Sequence, residues 1–211
     1  MSGVSDVFLD LDGTLTDPKP GITGCIQHAL RELGADIPHA DDLEWCIGPS
    51  LWHSFGQILG EDGPVDEAIA LYRERYTDTG LFENAVYDGV PEMMRRLADT
   101  GARLHLATAK PHVYARRITA HFGLADFMEF EFGSELDGTR VDKADLLAHA
   151  LEETGARPES SLMIGDREHD AIAANANGIK AWGVLYGYGT RDELQKAGVA
   201  ALFAEPGQIS L

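Results

Sequence analysis

Short apolar runs bounded by Asp, Gly or Pro recur along the chain, and stretches with helical spacing separate them. The first run, residues 4–9, ends on Asp10 and predicts a buried strand. Similar runs at 103–107, 127–132, 161–164 and 179–185 predict four more strands, and a weaker run covers 199–204. The intervening segments read as helices with conventional punctuation. Residues 90–99 carry Pro91 near their start and are followed by Gly101; residues 111–122 begin on proline and are followed by Gly123. Residues 143–154 precede Gly155, and 169–176 precede Gly178. Proline inside a helix start and glycine just past its end is the expected asymmetry. Strands alternating with helices predict βα units, hence an α/β, doubly wound, mainly parallel sheet of the Rossmann-like kind.

Residues 22–81 break this rhythm. Helical patterns occur at 21–33, 50–59 and 65–78, with no convincing strand among them. A gap of roughly 60 residues is far longer than an ordinary βα connection. It predicts an all-helical cap, residues 16–82, inserted into a core made of residues 1–15 and 83–211.

Composition narrows the partners. The 211 residues are 44% hydrophobic and 25% charged, which is globular rather than disordered. With 17 Lys+Arg against 35 Asp+Glu, the net charge is −18. Such a charge repels nucleic-acid polymers and anionic membranes at long range, so neither is expected as a partner. No apolar run reaches the ~18 residues of a membrane span, and no basic segment precedes an apolar stretch at the N-terminus. Cys25 and Cys46 form no C-x-x-C pair and are expected to pack as free thiols. A cytoplasmic monomer or homodimer is the resulting expectation.

In open α/β sheets, ligands bind beyond the carboxyl ends of the strands. The first strand ends Asp10-Leu11-Asp12-Gly13-Thr14, the second ends Thr108-Ala109-Lys110, and the fourth ends Gly165-Asp166, followed by Asp170; Lys143 opens a helix. Four carboxylates, two lysines and two hydroxyls would then meet at one edge. Clustered carboxylates resist ionising together unless a cation joins them. Hard oxygen ligands suit Mg²⁺, and lysine and hydroxyl groups hold phosphate oxygens. The set is coherent for metal-assisted phosphoryl transfer. An EF-hand reading fails, because its sixth and twelfth positions counted from Asp10 are Leu15 and Gly21. Gly187-Tyr188-Gly189 is half a dinucleotide fingerprint, with Asp192 in place of the last glycine, and reads as a loop after a strand.

The segment DLDGTLTD, residues 10–17, resembles the first motif of the haloacid dehalogenase-like superfamily, and IGDREHD, residues 164–170, resembles its fourth. Thr108 and Lys143 fall where its second and third motifs are expected. HFGL, GSELDGTR, GVLYGYG and the IGPSL segment are similar to the phosphoglycolate phosphatase-like branch, which implies a C1-type helical cap closing over the sheet edge. The resemblance implies Asp10 as nucleophile and Asp12 as general acid and then base. It implies Mg²⁺ held by Asp10, the Asp12 carbonyl and Asp166, with Asp170 supporting the water shell or Lys143 rather than binding directly. Thr108, Ala109 and Lys110 would hold phosphate, and Lys143 would neutralise charge on Asp10. Ala109 departs from the small hydroxyl residue that often follows the threonine, at the cost of one side-chain donor. In the cap, Gly48 and Arg73 are the candidates for substrate contact, while Trp45 and Trp52 are expected in the cap core. Lys19, flanked by Pro18 and Pro20, is the only lysine near the cap and a poor candidate for phosphonate chemistry. The implied function is a Mg²⁺-dependent phosphatase acting on a small phosphomonoester, phosphoglycolate-like. The alternatives are a phosphosugar mutase, a 5'-nucleotidase, or more remotely a non-catalytic phosphoaspartate protein.

Overall fold

The structure is a computed structural model that describes residues 3–60 and 62–211. In chain order its elements are β1 (Asp6–Leu9), β2 (Thr16–Asp17), α1 (Lys19–Glu32), α2 (Leu51–Leu59), α3 (Val65–Arg75), β3 (Ala85–Val86), α4 (Val90–Asp99), β4 (Arg103–Pro111), α5 (His112–His121), β5 (Phe130–Ser134), α6 (Lys143–Thr154), β6 (Ser161–Gly165), α7 (Glu168–Ala176), β7 (Lys180–Val184), α8 (Arg191–Lys196) and β8 (Ala201–Phe203). The chain divides into two compact units, residues 1–16 with 86–211, and residues 17–85. It passes between them at β2 and β3, which pair as a small two-stranded sheet.

The larger unit is built on a six-stranded sheet in the order β5-β4-β1-β6-β7-β8, with every neighbouring pair parallel. This is the α/β sheet that the alternation of strands and helices predicts. A parallel sheet covered on both faces needs continuous apolar strands rather than alternating ones. Val7, Phe8, Leu9, Leu162, Met163 and Ile164 are accordingly all buried. The chain runs from β1 to β4 on one side and later to β6 on the other, so β1 lies at the point where the strand order reverses. Leu9 is level with Leu106 on β4 and with Ile164 on β6, which brings the carboxyl ends of three strands to one edge. At the opposite end of β1, buried Asp6 accepts from the buried His105 ring at 3.1 Å and pairs with Arg103 at 2.5 Å. Burial holds the His105 pKa below its ordinary value, with Asp6 opposing, so the ring is neutral at neutral pH.

Two elements differ from the sequence pattern. The run at 127–132 gives a strand only from Phe130, because residues 125–127 close a 3-10 turn in which Phe127 N–H donates to the Leu124 carbonyl at 3.1 Å. α8 was not predicted: its six residues are polar apart from Leu194, and the Thr190–Glu193 capping box starts it.

The smaller unit is helical. α1 packs on α3, α2 on α3, and a 3-10 turn at Ala40–Cys46 packs on α1. Ser50 caps α2 by accepting from His53 N–H at 3.3 Å. Cys25 and Cys46 are buried and not joined in a disulfide, and Cys25 Sγ accepts from Arg75 Nη1 at 3.1 Å. Trp45 and Trp52 are not in the core as expected. They are 38% and 40% exposed, because the interior is filled by Phe55, Tyr72 and Tyr76: the Tyr72 and Tyr76 rings stack, and Phe55 meets Tyr72 edge-on. Lys19 is tied to Asp41 at 2.6 Å and to Glu44. Among the described residues no helix is long and apolar enough to cross a membrane.

Phe8 is fully buried in the cluster that also holds Leu147, Met163 and Ala174. Replacing it with alanine should cost about 3–5 kcal/mol through lost transfer and a residual cavity. Urea denaturation should show a lower midpoint with an unchanged m-value.

Candidate active site

Asp10 is the first residue past β1, and its N–H donates to the Ile164 carbonyl at 3.0 Å, which locks it to β6. Thr108 lies in β4, and Asp166 follows the end of β6. Lys143 is the first residue of α6, a start enforced by Asp142, whose carboxylate accepts from Ala144 N–H and Asp145 N–H. Asp170 sits in the first turn of α7, where its Oδ2 accepts from Arg167 N–H at 3.1 Å.

Packing joins these termini into one cluster. Lys143 Nζ lies 2.6 Å from Asp10 Oδ1 and also contacts Asp170 Oδ1. Asp10, Asp166 and Asp170 each present one carboxylate oxygen, and the three atoms lie within 4.8 Å of one another. Asp12 Oδ2 is 2.7 Å from Lys110 Nζ, while Asp12 Oδ1 is buried without a hydrogen-bond partner among the described residues. Gly13 makes the turn between the two acids. Its φ is +83°, and a Cβ there would stand 2.1 Å from Asp166 Oδ2. Thr108 is buried, and its Oγ1 accepts from Lys110 N–H at 3.3 Å. The Ala109 carbonyl accepts from Ser134 Oγ at 2.7 Å, which fixes the irregular end of β4.

Burial raises the pKa of Asp166 well above the ordinary carboxylate value, and the charges of Asp10 and Asp170 push the same way. Asp170 is raised by burial despite Lys143, and Asp12 by burial despite Lys110. Burial disfavours the Lys143 ammonium, but Asp10 and Asp170 outweigh it and hold its pKa above the ordinary lysine value. One ammonium therefore faces three carboxylates, an arrangement short of positive charge. A small divalent cation would supply what is missing: the donors are all carboxylate oxygens, close enough together to share one hard ion.

The structure thus gathers Asp10, Asp12, Lys110, Lys143, Asp166 and Asp170 in the larger unit. Thr108 and Ala109 stand at the same carboxyl edge. Gly48 and Arg73 belong to the helical unit: Gly48 is exposed, and the Arg73 guanidinium lies 5.3 Å from the centre of the Trp52 ring. Sequence reasoning missed three contacts. Lys110 Nζ pairs with Asp12 Oδ2. Thr14 Oγ1 donates to Asp166 Oδ1 at 3.3 Å, and Tyr188 N–H donates to Asp166 Oδ2 at 2.8 Å. The one available signal was Gly187 and Gly189, whose spacing admits close backbone approach.

An open parallel sheet that gathers carboxylates and lysines at the carboxyl ends of its central strands is an architecture suited to phosphoryl transfer. The family model described as haloacid dehalogenase-like hydrolase matches residues 7–184, and the chain belongs to that family. It is 47% identical over 191 residues to a 5'-nucleotidase of Pseudomonas aeruginosa, covering 90% of this chain and 86% of that protein. It is 40% identical to the tyrosine-protein kinase PtkA of Mycobacterium tuberculosis, over 90% of this chain and 65% of the relative. A phosphoglycolate phosphatase of Colwellia psychrerythraea is 24% identical over 91% of this chain and 89% of its own. The crystal structure of a predicted phosphatase from Clostridium acetobutylicum superposes with a TM-score of 0.91 at 37% identity, covering 95% and 94% of the two chains. The protein is a phosphoric monoester hydrolase.

The raised pKa of Asp166 has a signed consequence for stability. The folded state keeps this proton at a pH where the unfolded chain has lost it, so metal-free stability falls as pH rises from the ordinary value of 3.8 through the raised one. In EDTA, Asp166→Asn should therefore melt above wild type near neutral pH, with the gap shrinking as pH falls towards 4. Thermal melts across that range check it, and a gap that is constant or reversed contradicts the repulsion.

Proposed function

We propose that the protein is a Mg²⁺-dependent phosphatase that hydrolyses a small phosphomonoester through an aspartyl-phosphate on Asp10. The observation that carries this reading is the placement of Asp10. It is held by Lys143 at 2.6 Å within the Asp10–Asp166–Asp170 cluster, two residues before a partly buried second acid. Asp10, Asp166 and the Asp12 carbonyl would hold Mg²⁺, with Asp170 acting through Lys143 and the water shell. Bound there, the ion supplies Lewis-acid charge neutralisation to the phosphoryl oxygens.

In the first half-reaction the Asp10 carboxylate attacks phosphorus. The ester P–O bond breaks, and Asp12 gives its proton to the leaving oxygen. In the second, Asp12 takes a proton from water as that water attacks the phosphoryl group, which releases inorganic phosphate and returns Asp10 as a carboxylate. Burial raises the Asp12 pKa above the ordinary carboxylate value, which favours its role as proton donor in the first step, and Lys110 stabilises its ionised form, which favours its role as base in the second. Lys143 neutralises Asp10 and the incoming phosphate. Thr108 and the Ala109 N–H hold the transferring group. In the helical unit, Gly48 and Arg73 are the proposed contacts for the rest of the substrate.

Two substrate classes have support. A nucleoside 5'-monophosphate is favoured by the relative named a 5'-nucleotidase, which is 47% identical. Phosphoglycolate is favoured by motif resemblance and by the phosphatase at 24% identity. The ranking of the two follows those identities. The site is proposed to act in the cytoplasm.

Phosphate release with Mg²⁺ should be measured on nucleoside 5'-monophosphates, phosphoglycolate and glucose 1-phosphate. Wild type is expected to turn over the nucleotides fastest, with Asp10→Asn inactive on all of them. No release by wild type, or full activity in Asp10→Asn, overturns the mechanism, and isomerised glucose phosphate without phosphate loss favours a mutase. Asp12→Asn should lose about 10²–10⁴-fold on alkyl phosphates. With p-nitrophenyl phosphate, whose leaving group needs no acid, it should give a burst and then stall, which rapid-quench kinetics reads directly.

A further inference from the structure

We propose that residues 186–189, the Tyr-Gly-Tyr-Gly segment after β7, form a positioning strap that orients the Asp166 carboxylate and thereby sets the affinity of the acidic cluster for its divalent cation. The inference rests on the metal-dependent reading above, and it assigns a role to a segment that the catalytic set leaves unused. The strap contacts Asp166 Oδ2 directly and braces Thr14, which contacts Oδ1. Tyr188 N–H donates to Oδ2 at 2.8 Å. Tyr186 O–H donates to the Thr14 carbonyl at 3.1 Å, and Thr14 Oγ1 donates in turn to Asp166 Oδ1 at 3.3 Å.

Contact this close excludes side chains at the two glycines. A Cβ on residue 187 would stand 2.2 Å from the Gly13 carbonyl oxygen and 2.5 Å from Asp166 Cβ; one on residue 189 would stand 1.8 Å from the Asp166 carbonyl oxygen. The strap is braced from outside. The Tyr186 ring meets the Tyr87 ring edge-on at 5.2 Å, and Tyr87 N–H donates to the Leu15 carbonyl at 3.1 Å. Asp166 is thus gripped between the Gly13–Thr14 turn that carries the catalytic acids and the segment following β7. Donors on a ligating carboxylate fix its direction and favour its ionised form, and losing such partners typically weakens metal binding about 10–100-fold.

The strap also explains why Asp192 in place of a third glycine is tolerated. The segment needs its glycines to approach Asp166, not to cradle a dinucleotide, and residue 192 already lies inside α8. The Tyr186 hydroxyl is spent on a backbone carbonyl at 3.1 Å, in surroundings whose burial raises its pKa, so it acts as a donor rather than as a titrating group.

The test is calorimetric titration of the full chain with Mg²⁺ alone, for wild type, Gly187→Ala and Tyr186→Phe, with circular dichroism of the metal-free proteins to confirm folding. Gly187→Ala should bind Mg²⁺ at least tenfold more weakly, and Tyr186→Phe about threefold to fivefold more weakly. In phosphate release, the Mg²⁺ concentration for half-maximal rate should rise by the same factors, and saturating Mg²⁺ should restore turnover. A merely structural defect would lower the rate without that rescue. Wild-type affinity in both variants overturns the strap while leaving the metal-dependent reading intact. Should Gly187→Ala fail to fold, the titration of Tyr186→Phe decides alone. Absence of Mg²⁺ binding by wild type overturns both.

Discussion

The ammonium of Lys143 lies between Asp10 and Asp170, and the site depends on that contact. Three buried carboxylates in one place are mutually repulsive, and each loses its hydration on folding. A single lysine, itself buried, relieves only part of that repulsion, and the proposed Mg²⁺ would relieve the rest. In the proposed reading the local chemistry opposes the whole-molecule charge of −18: a surface hostile to polyanions surrounds a point that, with Mg²⁺ bound, would attract one small phosphate.

Nothing in the helix of Lys143 or the strand of Asp10 would bring these groups together without the sheet. Asp10 and Asp170 are 160 residues apart in the chain, yet β1 lies directly beside β6, and α7 leaves the same edge. The register of that pair controls the geometry. Level pairing of Leu9 with Ile164 puts Asp10 in hydrogen-bond reach of the neighbouring strand, and one further peptide brings Asp166 alongside. A slip of one residue would reverse the facing of each side chain and scatter the carboxylates. The buried aliphatic run of β1 and β6 holds this register, so the apolar core and the acidic edge are parts of one arrangement.

Much of this was legible in the chain. Asp10, Asp12, Lys143 and Asp166 stand at strand and helix ends that apolar runs and glycine punctuation announce. α4 and α6 begin and end where those signals place them. What escaped the sequence did so for physical reasons. β5 starts late because a local turn claims Phe127, and α8 is too short and too polar to carry a periodicity. Trp45 and Trp52 are large apolar residues whose exposure is decided by which rings win the interior of the helical unit. The Tyr188 contact to Asp166 is made by a backbone N–H, a group every residue but proline possesses, so only the spacing of Gly187 and Gly189 hints at it.

The pairing of β2 with β3 has a consequence for how such a molecule changes over time. The two ends of the helical segment are clasped at the point where they meet the sheet unit, so the closure that unit requires is already made. Once ends are held, lengthening or replacing what lies between them costs little chain entropy. The helical segment is in that sense an exchangeable cassette. Its residues can drift while the acidic edge and its supporting strands stay as they are.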